Sequence, residues 1–231
     1  MQTNNLNAES RRNFLGKLAA GAAALGTVSF TPFQAQAAYE SFEQNLADDP
    51  EAWFNKIKGK HRIVFDATQP HELMPFAWPK IFLVTNAATG TPEKDCSVVV
   101  VLRHDAIPYA LNSDLWAKYK LGELHKAHDP LTKEPATHNP FWQPKEDFKV
   151  PGIGSVPIGI NQLQDSGVMF CACNMAITVY SAVAADMMKM DPEAVKKEWL
   201  AGVLPNIQIV PSGVWALGRA QEKGCSYCFA G

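Results

Sequence analysis

Five stretches of the chain carry the apolar density of β-strands, and stretches with helical spacing separate them. HRIVFDATQ, 61–69, is rich in β-branched residues. CSVVVVLRHDAI, 96–107, is a continuous apolar run, the pattern of a strand buried on both faces. VMFCACN, 168–174, NIQIVPS, 206–212, and CSYCFA, 225–230, complete the set. In front of them, DDPEAW predicts a short helix capped by Asp49 with Pro50 in its first turn. Pro75 and Pro79 argue against one uninterrupted helix over 71–90, so a helix is expected to begin near Pro79 and stop by Gly90. Ser113 reads as the cap of a helix with Leu115, Tyr119 and Leu124 on one stripe. A short helix should end at Gly167, and Val179, Val183, Met187 and Met190 recur at helical spacing. Asp191-Pro192 opens a helix through Leu200, and Ser212 caps another that stops at Gly224.

That alternation predicts an α/β fold, a five-stranded, mainly parallel sheet with helices on both faces. In such sheets the functional crevice lies at the carboxyl ends of the strands. Residues 126–155 break the pattern with many prolines and no period, and read as a long surface insertion, a lid or an oligomer contact.

The first residues add a destination. Arg11-Arg12 precede a weakly apolar Ala/Gly/Leu run, and Ala35 and Ala37 suit a signal peptidase. Residues 1–37 therefore read as a twin-arginine signal, with one domain over 38–231. The run is too poor in large side chains to span a bilayer. Periplasmic export of an already folded chain is expected, with no membrane association after cleavage. The full chain has a net charge of −2, and losing the signal makes it more acidic. Neither nucleic acid nor an anionic membrane is called for, since both need a basic patch.

The chemistry rests on five cysteines: Cys96, Cys171, Cys173, Cys225 and Cys228. Period-two alternation puts Cys171 and Cys173 on one face of the third strand, with Cys173 last, where the strand turns into a helix. The free N–H groups there favour a thiolate, which is a nucleophile and can carry a second sulfur as a persulfide. Cys171 lies deeper and fits a small core hydrophobe or a redox partner. Cys225 and Cys228, three apart in a strand, face opposite sides. They stand as a mobile disulfide, as resolving partners for Cys173, or as core. Cys96 opens the second strand at the amino end of the sheet and reads as structural. Asn174 follows Cys173, and His104, on the carboxyl rim, either orients or protonates the sulfur or is a solvated surface histidine.

With these residues placed, the chain resembles the DsrE/DsrF-like family of sulfur-relay proteins. G-V-M-F-C-A-C over 167–173 is similar to the family's strand ending in a sulfur-carrying cysteine, and Cys173 falls on that position. The VPSGV turn at 210–214 and the Lys-Gly before the last strand match as well. The resemblance implies a three-layer α/β/α fold, a homo-oligomer (trimer or hexamer) and a sulfur-carrying role for Cys173. The expected function is then a sulfur carrier or transferase with Cys173 as acceptor, Asn174 and His104 orienting or protonating the sulfur, and a sulfur donor or acceptor protein as partner. No cofactor is implied. The alternatives are a thiolate metal site built from the CxC and CxxC pairs or from His125, His128 and His138, and a non-enzymatic oligomeric module using Phe141, Trp142 and Phe148 as a contact.

Overall fold

The computed structural model describes residues 49–150 and 152–231. The proposed export signal and its cleavage point lie outside the described residues. Five strands, β1 (His61–Ala67), β2 (Cys96–Leu102), β5 (Met169–Cys173), β6 (Ile207–Val210) and β7 (Ser226–Phe229), form one sheet in the order β6-β5-β2-β1-β7. Every pairing in it is parallel. Between β2 and β5 a two-stranded antiparallel ribbon adds β3 (Phe148–Val150) and β4 (Gly154–Val156), and the expected short helix before Gly167 follows as α5 (Ile160–Asp165).

The strands separate two buried apolar groups by simple alternation. Phe65, Val98, Val100 and Phe170 point into the larger one, with residues of α2 (Met74–Ala88) and α6 (Asn174–Met188). Val64, Val99, Val101 and Cys171 point into the smaller one, against α1 (Pro50–Phe54) and α8 (Gly213–Glu222). Connectivity explains the division. From β1 to β2, β5 and β6 the chain steps one way across the sheet, and right-handed crossovers place those connections on one face. The return from β6 to β7 runs the other way and puts α8 on the opposite face.

Local signals set most boundaries. Asp49, Asp191 and Ser212 cap α1, α7 (Pro192–Ala201) and α8, each side chain accepting from a first-turn amide. Three expectations are corrected. Helix α2 starts at Met74 and runs through Pro79. Pro75 sits in the first turn, where its missing N–H costs nothing, and Pro79 lacks only the bond that would have gone to Pro75. The cap of α3 (Ser113–Tyr119) is Asn112, whose side chain accepts from the Leu115 amide. The helix then breaks at left-handed Lys120, leaving α4 (Leu121–Leu124) as a single turn.

The segment 126–155 is the third correction, since its aromatics are core. Phe141 is fully buried between Phe76 and Phe148, with ring centroids 4.1 and 5.0 Å away, and Trp142 packs on the same group. Buried Asn139 donates to the Tyr109 and Leu111 carbonyls, 2.9 Å each, tying the segment's backbone to the 3-10 turn His104–Ala110. Helix α6 shows the opposite surprise. Val179, Val183 and Met187 face outward, and the inward face is Asn174, Ile177, Ser181, Ala184 and Ala185. Among the described residues no helix is long and apolar enough to cross a membrane.

Candidate functional site

Where neighbouring parallel strands send their connections to opposite faces, the chain leaves a crevice at their carboxyl ends. Here that point lies between β5, which feeds α6, and β6, which feeds α8. Cys173 stands on it, paired in register with Val210 of β6. Cys173 is also the N-cap of α6, and its Sγ accepts the Ala176 amide at 3.3 Å. A negative sulfur there faces the positive end of a 15-residue helix. The residue keeps 6 % of its surface open, while Cys171 is sealed. The two thiols do not share a face as expected. Cys171 belongs to the smaller buried group and Cys173 to the larger, because Cys173 is already the cap of α6 and has left the strand's alternation.

Register explains what surrounds the thiol. Leu102 pairs with Ala172, and the next residues along are Arg103, just past the end of the neighbouring strand, and Cys173. Across the next gap Arg103 grips Asp66 with two hydrogen bonds, Nε to Oδ1 at 2.7 Å and Nη2 to Oδ2 at 2.8 Å. Tyr227 on the edge strand donates its hydroxyl to the same carboxylate at 2.9 Å. Tyr227 of β7, Asp66 of β1, Arg103 just past the end of β2 and Cys173 at the end of β5 thus follow one another diagonally across the sheet. The hydrogen bonds to Asp66 raise Arg103 above its ordinary value against the effect of burial, with smaller contributions from the charges of Asp66, Tyr227 and Cys173. The stem of Arg103 crosses the start of α8 in the space a Cβ on Gly213 would fill, 2.5 Å from its Cδ. Ser212 accepts from the Trp215 amide, so the first amides of α8 stay free beside the guanidinium.

Asn174, the first residue of α6, is fully buried, and neither its Oδ1 nor its Nδ2 has a partner. An orphaned amide of that kind costs about 1–3 kcal/mol and marks a place that something else completes.

His104 lies on the same rim, in a left-handed conformation (φ 51°). Its Nδ1 sits 3.1 Å from Asp105 and 3.5 Å from the Tyr180 hydroxyl. Among the described hydrogen bonds none joins it to Cys173. Asp105 also holds the buried His125 through Nδ1 at 3.2 Å, and Tyr180 packs on that ring with centroids 4.5 Å apart. Burial lowers His125 to about 4, against the opposing pull of Asp105. Tyr180 is pushed up by burial and by its bond to Asp105.

The remaining cysteines are dispersed, and all five are free. Burial pushes Cys171 well above the ordinary thiol range, with the charge of nearby Cys173 a smaller cause. Cys225 and Cys228 fall on opposite faces of the sheet, as the three-residue spacing requires. They stand three strands from Cys173, about 14 Å away at the usual strand spacing. Burial raises Cys225 to about 11, with Arg62 pulling the other way. The metal alternatives are not assembled either. Helix α4 ends before His125, so HKAH is not on one helix face, and His138 lies near Asp129 at 3.7 Å. Among the described residues no three His, Cys, Asp or Glu side chains are grouped to hold a metal ion.

Two cavities open elsewhere. One, of about 460 Å³, lies at the amino end of the sheet among Lys56, Lys58, Lys60, Lys94 and Cys96. The other, of about 340 Å³, lies between His71, Tyr109, His128 and Lys133. Neither outweighs the rim, because neither joins a nucleophile to a cation and a long helix's first turn. Although lysines line the first cavity, the pKa of Cys96 is raised, first by burial and then by the carboxylates of Asp95 and Glu93.

Of the residues at this rim, sequence reasoning named Cys173, Asn174 and His104 and did not name Arg103, Asp66 and Tyr227. The available signal was a charge within each buried run, Asp66 in IVFDA and Arg103 after VVVVL.

No protein-family model matches the chain, and no curated protein matches it. Among solved structures it is similar to MTH1491, a protein of unknown function from Methanobacterium thermoautotrophicum. The identity is 15 % and the TM-score 0.37, over 74 % of this chain and 99 % of that one. A likeness of that strength decides neither fold family nor function.

Proposed function

We propose that this chain is a DsrE-like sulfur carrier or transferase of three-layer α/β/α architecture, exported to the periplasm, that takes sulfane sulfur on Cys173 as a persulfide. The observation that carries the reading is the placement of Cys173. It caps α6 at the point where the connections diverge, with the Ala176 amide on its sulfur and Arg103 just past the end of the adjacent strand. A thiolate or a persulfide anion gains from both. Asn174 and His104 are proposed to orient or protonate the bound sulfur. The orphaned Asn174 amide is the stronger of the two supports, since His104 already engages Asp105 and Tyr180.

A homo-oligomer is proposed as the working form. Its support is the row Met175, Val179, Val183 and Met187 along the outer face of α6, every member of it at least 41 % exposed. The buried aromatics of 126–155 do not serve as that contact.

The test is mass spectrometry of the reduced protein after incubation with a sulfane donor. One added sulfur, about 32 Da, is expected on the peptide holding Cys173, and none on Cys173→Ser. An equal gain in that variant, or no gain in the native chain, ends the proposal.

A further inference from the structure

We infer that the donor loading Cys173 is a small sulfane oxyanion of the thiosulfate class, seated by Arg103 and the first amides of α8. The inference rests on the reading of Cys173 as sulfur acceptor and adds what delivers the sulfur.

Three features of the rim lead there. The first is charge. Arg103 spends Nε and Nη2 on Asp66, which fixes the plane of the guanidinium and leaves Nη1 without a described partner, and the residue itself follows Leu102, which pairs with the residue before Cys173. Its stem lies over the start of α8, where the absence of a Cβ on Gly213 lets it pass. The 10-residue helix therefore directs its free amides to the same spot as the guanidinium. The second is the adjoining Asn174, fully buried with a donor and an acceptor both unpaired. An oxyanion bound next to Cys173 is the kind of group that would satisfy the donor. The third is size. Cys173 keeps only 6 % of its surface open, and neither described cavity is lined by it. A four-oxygen-sized ion fits such an opening better than a cysteine presented on a second protein.

The chemistry balances without an added oxidant. The Cys173 thiolate attacks the outer sulfur of thiosulfate, and a new S–S bond forms to Cys173. The S–S bond of thiosulfate breaks, and its electron pair leaves with sulfite. The cysteine's single negative charge moves to the terminal sulfur of the persulfide, and both charges of thiosulfate leave on the sulfite. Arg103 and the α8 amides hold the oxygens that become sulfite.

The experiment compares two donors on the reduced full chain, thiosulfate and the uncharged dimethyl trisulfide. The sulfur added to Cys173 is read by mass. With thiosulfate it is a persulfide; with the trisulfide it is the methyl-capped adduct, or the persulfide left when the displaced methanethiolate carries the cap away as dimethyl disulfide. Sulfite release is read in the thiosulfate arm. Thiosulfate should load Cys173 with one sulfite per persulfide. Arg103→Gln should slow that loading about tenfold while changing the neutral donor less than about twofold. Because that variant leaves buried Asp66 without its cation, Val214→Glu is the companion. Val214 is 65 % exposed in the first turn of α8, where a carboxylate does not harm folding. Its charge should repel thiosulfate by a similar factor and leave the trisulfide reaction alone.

Loading by the trisulfide but not by thiosulfate would overturn this inference and leave the proposed function standing. So would thiosulfate rates in Val214→Glu equal to native. Failure of both donors to mark Cys173 would remove the sulfur-acceptor reading itself, and this inference with it.

Discussion

The two ends of the sheet each present a thiol, and they are electrostatic opposites. At the carboxyl end Cys173 has Arg103 just past the end of the next strand and the Ala176 amide of α6 on its sulfur. At the amino end Cys96 is more open, yet burial and the carboxylates of Asp95 and Glu93 hold its proton on. Exposure alone would rank Cys96 the more reactive. The comparison teaches that a thiol's chemistry follows the charges its strand end gathers, and parallel strands gather helix N-termini only at one end.

The carboxyl end should also be where charge matters to the fold. Asp66 is almost fully buried, and it joins Arg103 to Tyr227. Asp66→Asn keeps the shape and strips the counter-charge from Arg103. A loss of about 2–4 kcal/mol is expected, at the lower end because Arg103 is 26 % exposed. The matched change at the other end is Glu93→Gln, which breaks the 3.0 Å pair with Lys80 at the surface. It should cost no more than about 0.5 kcal/mol. Urea unfolding of both variants decides the matter, and equal losses would erase the asymmetry.

The same end should confer acid sensitivity. His125 is held near 4 by burial, while an unfolded histidine titrates near about 6.5. Between those values the unfolded chain binds a proton that the native chain refuses. Stability should therefore fall as pH drops through that window, by about 2–3 kcal/mol, with no contribution above neutrality. His125→Phe removes the titrating group and keeps a ring against Tyr180. The difference in unfolding free energy between pH 7.5 and pH 4.5 should shrink in that variant. An unchanged difference would assign the acid loss to other groups.

Much of this was legible before the coordinates. The five strands, the caps at Asp49, Asp191 and Ser212, and the junction at Cys173 follow from local pattern, because capping and strand alternation are decided within a few residues. The row Tyr227–Asp66–Arg103 was not, because it depends on strand order and register. Counting parity along VVVVLR puts Arg103 on the face of Val99 and Val101, but only the pairing of Leu102 with Ala172 brings it to Cys173. The segment 126–155 misled for a different reason. Proline-rich, aperiodic sequence usually runs over a surface, yet Phe141 and Phe148 supply the rings that cover Phe76, and their burial outweighs the irregular backbone. The apolar spacing on α6 was real and faces outward, since a periodic stripe says which residues share a face and not what covers it.

A smaller effect separates the two roles of Cys173. As N-cap its sulfur satisfies one amide, and as nucleophile it carries the chemistry. Cys173→Ser replaces the acceptor with an oxygen, a better cap, so stability should hold while persulfide formation disappears. Cys173→Ala removes both and should cost about 0.5–1 kcal/mol. Thermal unfolding beside the mass measurement tells the roles apart. If serine destabilised as much as alanine, the cap would not be what orients the sulfur.

The smallest effect is expected at the opposite end. Cys96→Ser exchanges a half-buried thiol at the first residue of β2 for a hydroxyl of similar size, in a position with water nearby. Stability should change by no more than about 0.5 kcal/mol, and sulfur loading at Cys173 should be untouched. In the native chain, iodoacetamide at neutral pH should mark Cys173 before Cys96 despite its smaller opening, as peptide mass analysis can show. The order matters because iodoacetamide is uncharged, so Arg103 gives the reagent no attraction and the result reads the place of the sulfur at the helix start. If Cys96 were alkylated first, its greater exposure would outweigh the unfavourable carboxylates, and the helix end would have lost its claim to the reactive sulfur.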